Sequence, residues 1–398
     1  MEYKTQARQH PTLSPEMQAT TTDANMPRDP HTPHVAPRLT DHDDPAIHAM
    51  EAVYGPLTTL MDHEVTTWTP PPGSGGHLGR YLWTDAFGVL NFITLAEELD
   101  SSKYLAFAMA LVTSVHDTLG RTRDQSRRLD HATDKEPLKG GLRIGKAHET
   151  GDDGDGQYHH YLTMWMFALN RLSVATGDPR YNDLALQLAQ AIHPRFFVHG
   201  VEATRMVYKI SVDMETVLNP REGSLDAILG LGVFRLLQAT AVTQGRQSGL
   251  LKQEIAEYEE ILRRDGRVRP SSDLLDLGMG LWATSLFPGE EWAQAYREAS
   301  LALAEKHLDP QSPLLQRDPS HRLAFREFGA CLGILCDDVE NAKLTDDVRS
   351  VLSFWEHHVA QGKGESVQPI SKVMYAACRH PGAFKVSYLL GKKLPEGL

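Results

Sequence analysis

The sequence predicts an all-α protein, an (α/α)6 toroid in which six helical hairpins close into a ring, with a disordered N-terminal tail. Three observations support this prediction. Apolar, helix-like runs alternate with more polar ones along the 398 residues, patterns typical of strands are almost absent, and five apolar runs share one signature at their start. The signature is an acidic residue one to three positions before a glycine, and it occurs at Asp85, Asp155, Glu222, Asp276 and Glu327. Because helix starts gather at one end of a ring, we expect several carboxylates at one mouth.

The N-terminal segment, residues 1–42, is rich in Pro, Thr, His and Asp and nearly lacks large aliphatic side chains. Such a composition cannot bury enough apolar surface to offset the entropy lost on ordering, so we predict a disordered tail. The helical domain is predicted over residues 43–398. Its first helix is expected from Asp44 to Asp62, with Pro45 in the first turn.

Six hairpins follow in the predicted domain. Their bounds are Leu82–Glu98 with Lys103–Leu119, Gln157–Thr176 with Pro179–Ile192, Ser224–Thr243 with Ser248–Arg263, Leu274–Phe287 with Glu290–Leu308, Phe325–Asp337 with Thr345–His358, and Ser371–Arg379 with Ala383–Leu390. The first helix of a pair is the more apolar one, which predicts an inner ring surrounded by amphipathic outer helices. Between the helices of the second hairpin, Gly177, Asp178 and Pro179 are typical of a helix end, an N-cap and a helix start. An open solenoid of the same hairpins is the alternative architecture.

Two segments lie outside the hairpins. The polar loop 120–155 is dense in Gly, Asp and His, and loops of this length are usually functional or disordered. Within it, Leu142–Ile144 is predicted to be ordered. The segment Val207–Val212 is compatible with either a short strand or a loop.

The composition excludes several classes of protein. A formal net charge of −12 argues against binding to nucleic acid or to an anionic membrane surface. The three cysteines, Cys331, Cys336 and Cys378, fit no zinc spacing and lie in apolar runs, so we predict buried free thiols and a reducing, cytoplasmic location. No secretory signal and no stretch of about 20 apolar residues is recognised. Phosphate-binding loops, dinucleotide fingerprints and GxSxG motifs are absent, and we expect no cofactor and no metal.

The pattern resembles the six-hairpin glycosidase superfamily, the (α/α)6-barrel glycoside hydrolases and their relatives, over roughly residues 44–398. The resemblance rests on the acidic helix starts, on the segments WTDAFG and GDDGDGQYHHYLTMW, and on the turn Thr176–Tyr181. The second segment looks like the inner-helix starts of unsaturated glucuronyl hydrolases, where an Asp, aromatic residues and His line the sugar site. The turn is similar to those of this group and of the sugar 2-epimerases, although no convincing match to the epimerases' catalytic histidines is found. The resemblance implies a carbohydrate-active enzyme with a small-molecule or oligosaccharide substrate.

Hydrolysis of a glycoside needs two carboxyl groups, one to protonate the leaving oxygen and one to attack or to activate water. Asp85 and Asp155 are the predicted pair, because each opens an inner helix of adjacent hairpins. The apolar neighbours of Asp85, Trp83 and Phe87, would raise its pKa and suit an acid. The alternatives are a helix N-cap for Asp85 and, for Asp155 with its neighbours Asp152 and Asp153, a polar loop or an ion site.

His159 is the third predicted catalytic residue. Adjacent residues of a helix point about 100° apart, so at most one of His159 and His160 faces the cavity. The alternative for His159 is a hydrogen-bonded histidine of the core. The predicted substrate-binding residues are Trp83 and Tyr158 as stacking platforms, Arg143 as a partner for a uronate, and His148, Glu222, Asp226 and Glu327 as polar contacts. Asp276 is interpreted as a structural cap.

Two other functions stay open at this point. One is a sugar epimerase or isomerase that uses His159 or His148 as its base, and it predicts two basic groups on opposite faces of the sugar. The other is a cyclase or isomerase of a non-sugar small molecule, or a binding scaffold without catalysis, and the run from Met164 to Phe167 keeps it open. A hydrolase predicts two carboxylates that face one cavity.

Overall fold

A computed structural model describes residues 43–73, 79–151, 153–200, 204–223, 225–265, 269–287, 289–337, 341–361 and 368–389. These residues belong to one compact unit that spans Arg38–Leu398. The predicted tail, residues 1–42, lies outside the described residues, as does Asp152. The disordered tail and the role of Asp152 therefore stay predictions.

Thirteen α-helices occur in the described residues, and most match the predicted hairpins to within a few positions. They are α1 (Pro45–Tyr54), α2 (Asp62–Val65), α3 (Leu82–Glu98), α4 (Ser102–Thr118), α5 (His159–Thr176), α6 (Pro179–Phe196), α7 (Asp226–Thr243), α8 (Lys252–Asp265), α9 (Leu274–Thr284), α10 (Glu291–His307), α11 (Ala324–Cys336), α12 (Ala342–Gln361) and α13 (Pro369–Arg379). The inner helices are α3, α5, α7, α9, α11 and α13. Each packs against the next, and α13 returns to α3. This contact closes the ring and confirms the predicted toroid.

Inner and outer helices differ in burial as their sequences predict. Almost every residue of α5 is buried, whereas α6 buries one face only. The turn between them also follows the prediction, because Gly177 is left-handed with φ of 70° and the Asp178 carboxylate accepts a hydrogen bond of 3.0 Å from the amide of Arg180. Cys331, Cys336 and Cys378 are buried and free, as predicted.

Helix α7 has the length and composition of a membrane-spanning segment, but 67% of its apolar window is buried inside the protein. Core helices of soluble proteins pass the same test, so this is weak evidence for a membrane span.

The sixth hairpin differs from the prediction. The segment predicted as its outer helix, Ala383–Leu390, instead forms two 3-10 turns, Gly382–Phe384 and Val386–Leu389. The outer position is occupied by α1, which packs against α13. Helix α1 is shorter than the predicted first helix, Asp44–Asp62. It ends at Tyr54, and the next residue, Gly55, has a φ of 83°. Local periodicity could not reveal this arrangement, because it joins opposite ends of the chain.

The two 3-10 turns fill the end of the ring where the inner helices finish. The amide of Ala383 donates to the Thr94 hydroxyl of α3 at 2.9 Å, and the Trp282 indole of α9 donates to the carbonyl of Phe384 at 2.9 Å. Arg171 of α5 donates to the carbonyl of Val386 at 3.0 Å. The C-terminal segment therefore binds three inner helices and closes this end.

Glycines of the inner helices make room for tyrosines of the outer helices. A side chain at the glycine would overlap the tyrosine ring or hydroxyl in three pairs: Gly88 with Tyr54 of α1, Gly230 with Tyr258 of α8, and Gly280 with Tyr296 of α10. Of these three glycines, Gly88 belongs to the sequence signature, and all three are required by packing. The same contact at Tyr54 supports the assignment of α1 as an outer helix.

Five short strands lie around the starts of the inner helices. They are β1 (Gln157–Tyr158), β2 (Phe197–His199), β3 (Thr204–Met206), β4 (Lys209–Ile210) and β5 (Val217–Asn219). An antiparallel sheet has the order β1-β4-β5, and β2 pairs with β3. Only β4 falls within the ambiguous segment Val207–Val212. The sheet joins the residues just before α5 to the connection between α6 and α7.

Candidate active site

A cavity of about 650 Å³ opens where α3, α5, α7, α9 and α11 begin. Its wall combines aromatic rings, carboxylates and arginines. The side chains that the argument uses are Tyr81, Trp83, His160, Tyr161, Tyr208, Arg221, Glu222, Asp226, Asp273, Asp276 and Arg326. Methionine, tryptophan and phenylalanine are a minority of the wall, and the run from Met164 to Phe167 is buried in α5 outside it. The cavity therefore fits a polyhydroxylated ligand better than an apolar one.

Aromatic side chains form one part of the wall. The rings of Trp83 and Tyr161 have centroids 5.2 Å apart, and His160 stacks on Tyr208 at 5.2 Å with an interplanar angle of 28°. The indole nitrogen of Trp83 is buried without a hydrogen-bond partner among the described residues. A flat aromatic surface is well suited to a sugar ring.

Asp226, the first residue of α7, is a buried carboxylate of the wall. Its Oδ1 lies 3.5 Å from Nδ1 of His159 and 3.4 Å from Nδ1 of His160. Burial raises the pKa of Asp226, but the two imidazoles outweigh burial and hold this pKa well below its usual range. Its Oδ2 has no partner among the described residues. Asp226 is thus an ionised carboxylate at the wall of the cavity.

The two adjacent histidines have different positions. His159 is fully buried, and its Nε2 lies 2.6 Å from the hydroxyl of Tyr258 on α8. His160 lines the cavity between the rings of Tyr158 and Tyr208. Adjacent residues of a helix point in different directions, so only one of the two histidines can lie in the wall, and it is His160. His159 contacts Asp226 from the protein interior.

Three more carboxylates line the cavity. Asp273 is the N-cap of α9, accepts from the Leu275 amide at 3.0 Å and pairs with Arg326. The predicted cap, Asp276, lies instead in the first turn of α9, so the capping assignment was wrong by one turn. Glu222 is exposed at the rim, where it accepts from the Met206 amide at 2.9 Å.

Asp85 does not line this cavity. It is buried in α3, accepts from Arg80 Nε at 3.0 Å and from the Tyr54 hydroxyl at 3.1 Å. Burial raises the pKa of Asp85, and the ion pair with Arg80 and the bond from Tyr54 oppose this rise. Asp85 is not the N-cap of α3, because Tyr81 occupies that position. Asp85 is not part of the cavity wall either.

Asp155 is also held away from the cavity. Its Oδ2 lies 2.7 Å from Nη1 of Arg143 and 3.1 Å from Nη1 of Arg123, and its Oδ1 accepts from the amides of Gly145 and Gly156 at 3.0 and 3.1 Å. These bonds fold the 120–155 loop onto itself. The structure therefore does not bring Asp85 and Asp155 together, and it uses Arg143 as an internal partner.

Some of the other predicted substrate-binding residues lie in the wall of the cavity and some do not. Trp83, Glu222 and Asp226 lie in the wall. Glu327 is buried against Arg322 and the Trp355 indole at 2.5 and 2.8 Å. Two further predicted residues lie outside the wall: His148 is exposed in the loop, and Tyr158 faces a second cavity on the other side of His160.

Sequence reasoning missed several wall residues. Tyr208 lies in the connection from α6 to α7, where no helical pattern marks it. Arg221, in the same connection, could be recognised from the sequence only as the neighbour of Glu222. His160 was recognised as one of two candidates, and only the tertiary fold selects it. No group of three or more His, Cys, Asp or Glu side chains in the described part of the chain is arranged to hold a metal ion.

The fold is similar to those of solved carbohydrate-processing enzymes, while no protein-family model and no curated protein matches the sequence. A family 76 glycoside hydrolase from a bovine Bacteroides thetaiotaomicron strain has a TM-score of 0.54 and 13% identity, over 85% of this chain and 76% of that one. A family 76 mannosidase from Bacteroides thetaiotaomicron VPI-5482 has a TM-score of 0.52 and 12% identity, over 85% and 96%. Cellobiose 2-epimerase from Spirochaeta thermophila has a TM-score of 0.51 and 14% identity, over 84% and 96%. The chain has the all-α toroid fold of these solved structures.

Proposed function

We propose that this protein is a carbohydrate-active enzyme and that it hydrolyses a glycoside in the cavity at the helix starts. The observation that carries the proposal is an aromatic wall together with two carboxylates from neighbouring inner helices, Asp226 on α7 and Asp276 on α9. Structural neighbours with glycosidase and epimerase activities support a sugar substrate in this fold. Buried free cysteines and the acidic charge support a cytoplasmic location without a nucleic-acid or membrane partner.

Asp226 suits the carboxylate that attacks the sugar or activates water. That group must be ionised, and the contacts from His159 and His160 keep the pKa of Asp226 low. Its position at the start of α7 adds the favourable end of the helix dipole.

Asp276 suits the acid that protonates the leaving oxygen. Asp276 lines the same cavity as Asp226 and Tyr208, so both carboxylates can reach one bound ligand. Asp273 is a less suitable acid because it caps α9 and pairs with Arg326, and Glu222 is less suitable because it is exposed.

The first test is hydrolysis of aryl glycosides, including mannosides and unsaturated uronyl glycosides, by the wild type, Asp226→Asn and Asp276→Asn. We expect Asp226→Asn to lower kcat on every substrate by about 100-fold or more. Asp276→Asn should lower kcat strongly for alkyl leaving groups and much less for dinitrophenyl, which leaves without a proton. The control Asp346→Asn changes an exposed carboxylate of α12 and should keep full activity.

The outcome decides the proposal directly. Activity of both cavity variants within threefold of the wild type, with folding verified by circular dichroism, would exclude these carboxylates as catalytic groups. A wild type that hydrolyses no glycoside would exclude the hydrolase.

One observation favours a sugar epimerase or isomerase as the second candidate. His160 lies in the wall and its Nδ1 is 3.4 Å from Asp226, an arrangement in which a carboxylate orients an imidazole base. Such an enzyme removes the proton next to the sugar carbonyl. Incubation with cellobiose in deuterated water should then introduce deuterium at C2, as seen by NMR, and His160→Asn should abolish the exchange. A hydrolase would leave C2 unlabelled.

A further inference from the structure

A second cavity of about 940 Å³ adjoins the candidate active site. Asn219 and Arg221 line both cavities, so the two spaces meet at these residues. One wall of the second cavity comes from the 120–155 loop and the other from the segment that carries β4 and β5. The long loop therefore builds part of a space that continues the first cavity.

Apolar surface and fixed hydrogen-bond donors face each other in this second cavity. Leu218 of β5 is 48% exposed, and the ring of Tyr158 is half-buried. Lys209 is 5% exposed, and its Nζ donates to the carbonyl of Gly154 at 2.6 Å and lies 5.3 Å from the centroid of the Tyr158 ring. An ammonium held in this way can donate its other protons to a ligand that rests on Tyr158 and Leu218.

The walls are connected by hydrogen bonds rather than left as separate loops. Gln157 Nε2 donates to the carbonyls of Gly140 and Val212, both at 2.9 Å, and so joins the 120–155 loop to the strand segment. The amide of Leu142 donates to Gln157 Oε1 at 3.1 Å. A cavity whose walls are joined before binding loses little entropy when a ligand enters.

The charges of the lining favour a neutral ligand. The lining holds three cations, Arg127, Lys209 and Arg221, and four carboxylates, Asp130, Glu149, Asp155 and Asp213. The charge of Asp155 is offset by its ion pairs with Arg143 and Arg123 behind the wall. A phosphate or nucleotide site would show an excess of cations, which this lining lacks. Both cavities lie in the range of about 300–1,000 Å³ that holds one drug-sized ligand, so together they exceed the needs of one or two sugar rings.

We propose that the second cavity binds further units of an oligosaccharide whose reacting unit occupies the first cavity. The substrate class is then a neutral oligosaccharide of several units, and Asn219 and Arg221 contact the units at the junction. This inference rests on the proposed function, because it requires a sugar in the first cavity.

The test measures how affinity depends on the length of the oligosaccharide. Asp226→Asn, which should not turn over substrate, is screened on an array of defined neutral oligosaccharides, and the bound series is titrated by calorimetry from two to six units. Leu218→Ala is added to remove apolar surface in the second cavity. The matched control is Val217→Ala, because Val217 is 41% exposed on the same strand and does not line the cavity.

We expect affinity to rise with length until both cavities are filled. Leu218→Ala should reduce the ratio of long-chain to short-chain affinity by about fivefold, whereas Val217→Ala should keep the ratio of the parent. Equal affinities for two and six units, or the same ratio in both variants, would overturn the inference and leave the proposed function standing. Absence of binding to any sugar on the array would overturn both.

Discussion

Asp44 and His380 are 336 positions apart in the sequence, yet Oδ2 of the aspartate lies 2.8 Å from Nε2 of the imidazole. The same carboxylate caps α1, because its Oδ1 accepts from the Ala46 amide at 2.7 Å. His380 directly follows α13. One side chain therefore joins the first outer helix to the last inner helix.

Replacement of Asp44 by alanine should destabilise the ring. Loss of the cap and of the bond to His380 is expected to lower the free energy of unfolding by about 2–3 kcal/mol. The measurement is urea denaturation at pH 7, with Asp43→Ala as the control because Asp43 is its exposed neighbour. Equal destabilisation by both variants would contradict the prediction.

The contribution of Asp44 should depend on pH. Burial raises its pKa, but the bonds from His380 and the Ala46 amide outweigh burial and lower it overall. The stabilisation is therefore full above the ordinary aspartate pKa of about 3.9 and is lost as the pH falls through the lower value of the folded state. The difference in unfolding free energy between wild type and Asp44→Ala should shrink on going from pH 6 to pH 2.5. A constant difference would show that this carboxylate does not titrate as described.

Asp85→Asn separates a structural role from a catalytic one. The change leaves the buried Arg80 without its charge partner, so we expect a loss of about 3 kcal/mol of unfolding free energy. The kcat of the folded molecules should stay within about threefold of the wild type, since Asp85 does not line the cavity. Unfolding curves and initial rates well below Tm give both quantities. A kcat reduced by orders of magnitude at unchanged stability would restore the catalytic role predicted from sequence.

Trp83→Phe should affect the ligand as well as the fold. Trp83 is buried against Phe87 and Tyr161, and the smaller ring leaves a space beside them, so we expect a loss of about 1–3 kcal/mol of unfolding free energy. A sugar that rests on this part of the aromatic wall would bind more weakly, and KM should rise about fivefold at similar kcat. The control is Trp355→Phe, which removes the 2.8 Å bond to Glu327 and should lower Tm without a change in KM. Parallel effects in the two variants would refute the ligand role of Trp83.

Gly278→Ala should be among the most damaging single substitutions. A methyl group there would overlap the carbonyl oxygen of Gly329 where α9 crosses α11. The helices must separate to admit it, and we expect a loss of about 3 kcal/mol or more. Thermal unfolding monitored by circular dichroism measures the effect. A Tm within two or three degrees of the wild type would show that the crossing is looser than described.

The hairpins were predictable because each depends on nearby residues. Helix α6 begins where Asp178 caps and Pro179 follows, and the apolar periodicity of α5 fixes its burial without reference to distant segments. The sixth outer helix was not predictable in this way. Its identity depends on contacts between α1 and α13, which no local pattern encodes.

The candidate site was predictable only in part, for an electrostatic reason. Asp85 and Asp226 both lie in the first turn of an inner helix, so their positions in the helices do not distinguish a structural carboxylate from one that lines the cavity. The difference is the partner: Arg80 binds Asp85 inside the protein, while His160 holds Asp226 at the wall of the cavity. The partner of a buried carboxylate depends on how the helices pack, so it cannot be predicted from the local sequence.

Helix α1 serves as the sixth outer helix, and this affects how the chain folds while it is synthesised on the ribosome. Helix α1 emerges before the other described helices, but its binding surface on α13 and the 3-10 turns that close the ring emerge after them. Until then the nascent chain exposes apolar faces at both edges of an unfinished ring. Final closure is therefore a late, cooperative step, and truncations that remove α13 should send the chain to chaperones and proteases rather than yield a smaller stable protein.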